Sequence, residues 1–327
     1  MVRKVSKKST KSKSTKSKST KSKSTKKRNT IKKSNSQASC PIQLNKHVSS
    51  KKCAPNKNNS PCSCFDREGL IKIINAWNQN HPDQVIDFNT NTSNTELWNN
   101  IHQKLKSKCN KEWCWIQQEF VKRTQDEELL EYTFRPQMPS KWKENKYEWL
   151  NTLDIEGVMK QYEDIYDNFM FIGPVPMDFD AKLSMGNCVI DELCNIKLSQ
   201  LLKDDIYHLG IIFNLDYHDK PGSHWVAMFS DFNKNEIYYF DSYGIKPSPE
   251  VKRLMKRLKK QGKGMDRDIK LYYNHIRHQY KNSECGVYCI NFIVELLKGR
   301  TFKSVIKNII RDEKMNRKRT KYFIKSF

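Results

Sequence analysis

The chain predicts an α+β fold preceded by a basic tail that does not fold. Three observations lead there. Strand-type alternation recurs within residues 224–278. Helical patterns lie on both sides of that stretch. All 7 Trp, 14 Tyr and 15 Phe of the 327 residues lie beyond residue 60, enough aromatic bulk for a real core.

Charge separates the tail from the rest. The chain carries 60 Lys/Arg against 36 Asp/Glu, a net +24, yet residues 1–60 hold 19 Lys/Arg and no acid. Beyond residue 60 the excess is only +5. Residues 11–25 are three copies of Lys-Ser-Lys-Ser-Thr. Such a repeat is too short and polar to bury anything, so residues 1–60 are expected to be disordered. A tail of this charge binds nucleic acid non-specifically or serves as a nuclear import signal; the plain alternative is a solvated spacer.

Residues 61–140 read as a helical arm. Leu70, Ile71, Ile73, Ile74 and Trp77 recur at helical spacing. A second helix is expected from Thr95 through Leu105, with Ser93 or Asn94 as its cap. A third is expected over Glu112–Arg123. Pro136, Pro139 and the polar run to Lys146 read as a linker into a third region, 141–327.

In that region His224–Asp231 and Glu236–Asp241 alternate as strands, with Asn233–Asn235 as the turn between them. Pro249–Lys260 has helical spacing. Asp268–His278 reads as a further strand, through Ile269, Leu271, Tyr273 and His275. Cys285–Leu297 reads as an apolar helix closed by Gly299.

No stretch approaches the roughly 20 apolar residues of a membrane-spanning helix. The first 25 residues contain no apolar signal core, so a reducing compartment, cytoplasm or nucleus, is expected rather than secretion. On that basis the ten cysteines (40, 53, 62, 64, 109, 114, 188, 194, 285 and 289) are expected as free thiols. Cys62, Cys64, Cys109 and Cys114 have spacings that suit zinc poorly, so no metal or other cofactor is expected.

Four residues form a chemical constellation: His224, Asp241, Gln279 and Cys285. Cys285 follows the turn-forming Asn282-Ser283-Glu284 and opens a helix, whose dipole favours a thiolate. Gly286 follows, where a side chain is expected to crowd a substrate carbonyl. His224 starts one strand and Asp241 ends the next. Antiparallel pairing would bring them together, so that the carboxylate fixes the imidazole of a base or ion-pair partner. The Gln279 amide and the Cys285 N–H can hold an oxyanion. Each residue alone has a bland reading: a core thiol, a strand-edge histidine, a turn aspartate. His275 and His278 are competing bases, and His208 and His218 have no evident role.

The order His224-Trp225, Asp241, then Gln279 followed by Cys285-Gly286 resembles the ubiquitin-like-protein protease and adenain clan of cysteine proteases. The likeness is closest to its viral members, such as the African swine fever virus polyprotein protease, in Ile276-Arg277-His278-Gln279, Glu284-Cys285-Gly286 and His-Trp-Val-Ala at 224–227. It spans roughly residues 145–310. Trp149-Leu150-Asn151 is similar to an element that precedes the triad in SUMO proteases. The resemblance implies a papain-like domain with a central mixed sheet flanked by helices. It implies cleavage after Gly-Gly or Gly-Xaa-Gly, with Trp149 and Trp225 enclosing the substrate glycines. It further implies a viral maturation protease acting on virion structural or core proteins, in virion and host cytoplasm. Two alternatives stand beside it. One is an isopeptidase that removes a ubiquitin-like modifier. The other is a non-catalytic nucleic-acid-binding virion protein.

Overall fold

A computed structural model describes residues 52–57 and 63–325. The tail expectations for residues 1–51, together with Cys40 and Cys62, lie outside the described residues. The tail's expected end at residue 60 is corrected. Cys53 and Ala54 are fully buried, and Ala54 N–H donates to Thr133 O at 3.0 Å. Cys53 joins the arm's apolar cluster with Phe65 and Phe134.

The arm begins with α1 (Arg67–Asn80), capped by Asp66, whose carboxylate accepts from Gly69 N–H at 2.8 Å. Leu70, Ile73, Ile74 and Trp77 face inward, as their spacing predicts. In α2 (Asn94–Leu105), Ser93 and Glu96 form a reciprocal capping box. The expected third helix is instead two short ones, α3 (Glu112–Trp115) and α4 (Glu119–Lys122). Gln118 between them is extended, with ψ 139°, which turns Val121 into the core. After them comes α5 (Glu127–Glu131). Glu112 is buried, and burial pushes its pKa up. Its carboxylate is nonetheless satisfied by Ser63 Oγ, Cys64 N–H and Trp98 Nε1, at 2.6, 3.1 and 2.6 Å.

The expected linker is also packed. Trp142 is buried edge-on to Phe323, at 5.0 Å between ring centroids, with the Arg319 guanidinium over its face. Met138 N–H and Ile324 N–H donate to Ile324 O and Pro136 O, tying residues 136–138 to the end of the described chain.

The remainder runs α6 (Thr152–Glu163), β1 (Phe169–Pro176), α7 (Asp191–Asn195), α8 (Leu198–Lys203), β2 (His208–Asn214), β3 (Trp225–Asp231), β4 (Glu236–Phe240), α9 (Pro249–Lys263), β5 (Lys270–Tyr273), α10 (Cys285–Leu297), α11 (Phe302–Lys307), α12 (Asp312–Arg317) and α13 (Arg319–Tyr322). The sheet order is β1-β2-β3-β4-β5; the two outer pairs are parallel and the two inner pairs antiparallel. This is the mixed, helix-flanked sheet expected.

Period-two alternation assigns each strand residue to a face. Ala227, Phe229, Tyr238 and Phe240 join the cluster around α10. Val226, Met228, Ile237 and Tyr239 join the cluster around α9 on the opposite face. Helix α10 is buried on nearly every side and ends at Gly299, whose φ of +81° suits a residue without Cβ. The strand expected over 268–278 shrinks to four residues at the sheet edge. Asn274 ends it: its Nδ2 donates to Asp241 O and Ile276 O, and its Oδ1 accepts from Ile276 N–H, which folds the chain away from the sheet.

The free-thiol expectation is overturned for six cysteines, which pair as Cys53–Cys64, Cys109–Cys114 and Cys188–Cys194. Each pair lies in neighbouring segments that the fold brings within 6.3 Å between Cα atoms. Cys285 and Cys289 are the free cysteines among the described residues.

Candidate active site

The β3–β4 hairpin has the register that sequence reasoning requires. Asp231 pairs with Glu236 across a short turn, and Ala227 with Phe240. The start of β3 therefore lies beside the end of β4. His224 Nε2 donates to Asp241 Oδ1 at 2.9 Å, with both residues buried. Asp241 Oδ1 also accepts from Tyr243 N–H at 2.8 Å, while Oδ2 is buried without a hydrogen-bond donor. The carboxylate charge is thus directed mainly at the imidazole. Tyr243 stacks on His224 at 4.7 Å between centroids.

With Nε2 engaged, Nδ1 is the ring nitrogen left for a second partner. The Cys285 thiol is near enough to His224 to help hold the imidazole in its charged form. Burial pulls the His224 pKa down, but Asp241 and Cys285 outweigh it and push it up to about 9. A thiol at a helix start beside a carboxylate-backed imidazole can form a thiolate–imidazolium pair.

Gln279 is buried in the loop before α10. Ser242 Oγ donates to its Oε1 at 2.6 Å and its Nε2 donates to Lys281 O at 2.6 Å. The amide is therefore fixed in orientation, and Nε2 retains a second proton. The Cys285 N–H belongs to the first turn of α10, where backbone donors have no intrahelical acceptor.

That loop is braced from beyond the stretch the resemblance covers. Glu284 forms a buried ion pair with Arg319 at 3.0 Å, and Arg319 Nη2 also donates to Ser283 O. Asp312 Oδ2 accepts from Tyr280 N–H at 2.9 Å. The Tyr288 hydroxyl donates to Ile310 O at 2.6 Å. Sequence reading missed these positioning residues, and Ser242, Tyr243 and Asn274 with them. The Asp241-Ser-Tyr-Gly run read only as a turn, and no local pattern links residue 284 to residue 319.

The competing bases are accounted for. His278 is buried, its Nε2 2.9 Å from Ile306 O, and burial lowers its pKa. His275 is exposed near the β5 edge. His218 pairs with Asp178 at 2.7 Å, and His208 lies 3.7 Å from Asp231. Cys289 is fully buried, and burial pushes its thiol well up.

Trp149 and Trp225 line one cavity of about 550 Å³, together with Asn151, Pro174, Pro176 and Asp216. The cavity does not include His224, Asp241, Gln279 or Cys285; Trp225, adjacent to His224, links the two places. Asn151 caps α6 reciprocally with Asp154, which anchors the Trp149-Leu150-Asn151 element. Trp225 Nε1 donates to Leu150 O at 3.0 Å.

At Gly286 a Cβ would meet the Leu150 side chain at 3.0–3.3 Å. Gly286→Ala is therefore expected to displace Leu150 and, through its carbonyl, Trp225. Kinetics and thermal melts should show a raised KM and a loss of about 1–3 kcal/mol in stability. Adding Leu150→Ala should recover part of the melt shift.

The Ulp1 protease family, C-terminal catalytic domain, matches residues 198–326. The chain is 33% identical over 278 residues to a putative thiol protease of Acanthamoeba polyphaga mimivirus, covering 80% of this chain and 89% of that protein. It is 27% identical over 241 residues to a cysteine protease of African swine fever virus, covering 70% and 88%. A crystal structure of the African swine fever virus protease has the same fold, with a TM-score of 0.61 at 22% identity over 86% of this chain and 99% of that one. By this likeness the chain belongs to the Ulp1 protease family: it is a cysteine protease acting on protein substrates.

Proposed function

We propose that the chain is an endopeptidase cutting after Gly-Gly or Gly-Xaa-Gly, and that it processes structural or core proteins of a virus particle in virion and host cytoplasm. The observation that supports this is the pair Trp149 and Trp225 on one cavity next to His224. Indole walls around the peptide favour residues without side chains, so selectivity arises by excluding bulk.

In this reading Cys285 Sγ attacks the scissile carbonyl carbon as a thiolate, with His224 holding the proton. The carbonyl oxygen becomes an oxyanion that accepts from the Cys285 N–H and the Gln279 Nε2–H. As the C–N bond breaks, His224 gives its proton to the leaving amine. Water, deprotonated by His224, then releases the acyl group from sulfur. Asp241 keeps the ring oriented and stabilises its charged form throughout. Each step uses a side chain or backbone group of this chain. The basic tail is proposed to hold the enzyme on nucleic acid through charge alone.

The test incubates the protein, under reducing conditions, with a Gly-Gly-Xaa peptide and separately with a ubiquitin-like-protein conjugate. Cleavage of the peptide is expected. Cleavage of the conjugate alone would make the enzyme an isopeptidase, and cleavage of neither would contradict the proposal. Trp149→Ala should raise kcat/KM for a Gly-Ala-Xaa peptide, relative to Gly-Gly-Xaa, by about tenfold, since one methyl group against a pocket wall carries discrimination of that order.

A further inference from the structure

Beyond residue 60 the positive excess is concentrated in one helix. Residues 61–327 hold 41 Lys/Arg and 36 Asp/Glu; α9 contains seven of the former and one of the latter, which leaves 34 against 35 elsewhere. The apolar side of α9 is buried through Val251, Leu254, Met255 and Leu258. Its two arginines serve the fold: Arg253 pairs with Asp180 at 3.1 Å, and Arg257 donates to the carbonyls of Leu193 and Cys194.

The five lysines are different. Lys252, Lys256, Lys259, Lys260 and Lys263 are all exposed. Lys259 lies 4.0 Å from Asp268; the side chains of the other four have no ion pair or hydrogen bond among the described residues. At about 100° per residue all five fall within roughly 100° of arc, in a row about 16 Å long. Like charges at this spacing destabilise a helix slightly, so the row contributes nothing to folding that explains it.

We propose that this face of α9 binds the phosphate backbone of duplex nucleic acid, as a second contact independent of the tail. Lysines are mobile point charges that suit phosphates without reading sequence. A duplex presents one negative charge per roughly 1.7 Å of axis, dense enough to neutralise every lysine of the row. A membrane surface fits poorly, because the apolar side of the helix is already buried and nothing remains to insert. An acidic protein surface fits less well too, since the row lacks the aromatic and arginine anchors on which protein interfaces rely. Helix α9 and helix α10, which carries Cys285, pack on opposite faces of the sheet. A bound duplex therefore leaves the cysteine accessible, and the enzyme can cut while it is held.

The test measures fluorescence anisotropy of a labelled duplex against the full chain from about 50 to 200 mM salt, the range over which phosphate contacts weaken steeply. The comparison protein carries Lys252→Gln, Lys256→Gln, Lys260→Gln and Lys263→Gln together. Affinity should fall alike for unrelated duplex sequences. The slope of log K against log salt should shrink by about 3–4, while the melting temperature and peptide cleavage stay unchanged. A further variant, with the lysines of residues 11–27 changed to Gln, should keep the part of the binding that the first variant loses. An unchanged slope in the α9 variant would overturn the proposal. So would complete loss of binding in the tail variant, or polyglutamate of equal charge binding the wild-type chain as tightly as the duplex does.

Discussion

Cys285→Ala is expected to lower cleavage of a Gly-Gly-Xaa peptide by about 10⁴-fold or more, since losing a nucleophile removes the covalent path rather than weakening it. Peptide binding and the melting temperature should stay close to the wild type, because alanine retains the helical Cβ and only a sulfur is lost. The other described free thiol cannot replace it. Cys289 sits one turn further along α10, fully buried, with its thiol pushed well up by that burial. A kcat that survives the substitution would remove Cys285 from the chemistry.

The second large effect is expected at Asp241. Asp241→Asn preserves the shape but removes the charge that holds the His224 imidazolium, and kcat should fall by about 10²–10⁴-fold. The pH profile separates this role from a structural one. His224 must carry the proton that it passes to the leaving amine, so the rate should decline as pH rises through about 9. Without the carboxylate that raises the His224 pKa, this limb should move to lower pH in Asp241→Asn. Stability follows the same sign. The folded pKa of about 9 lies above the unfolded value near 6.5, so the contribution is complete below about pH 6.5 and is lost as pH rises through about 9. An alkaline limb that stays in place in Asp241→Asn would show that the carboxylate does not set the charge of His224.

Why His224 and Asp241 could be paired from sequence is plain in the hairpin. A tight turn at Asn233–Asn235 fixes the register, and a fixed register converts a separation along the chain into a contact. Cys285 was legible because a turn followed by a long apolar run marks a helix start. The disulfides were not legible, because thiol pairing depends on which segments the fold brings together. Strand β1 was missed for a local reason: Gly173-Pro174-Val175-Pro176 reads as a strand breaker, and the pairing with β2 does shift between Ile172 and Val175. The expected strand at 268–278 failed in the opposite way. Its alternation is real, but Asn274 satisfies the backbone of the turn and stops the strand after Tyr273. The close approach of Leu150 to Gly286 was not legible, since only the folded chain makes them neighbours.

The most direct test of a Cys285 nucleophile beside a glycine-selective cleft is covalent capture. A peptide ending in Gly-Gly with a thiol-reactive vinyl ester in place of the scissile bond would be incubated with the reduced protein, followed by proteolysis and mass spectrometry. The account predicts a single adduct on Cys285, slowed strongly by His224→Ala and absent with an Ala-Ala analogue of the peptide. An adduct on Cys289, or labelling of Cys285 as fast with Ala-Ala as with Gly-Gly, would contradict it.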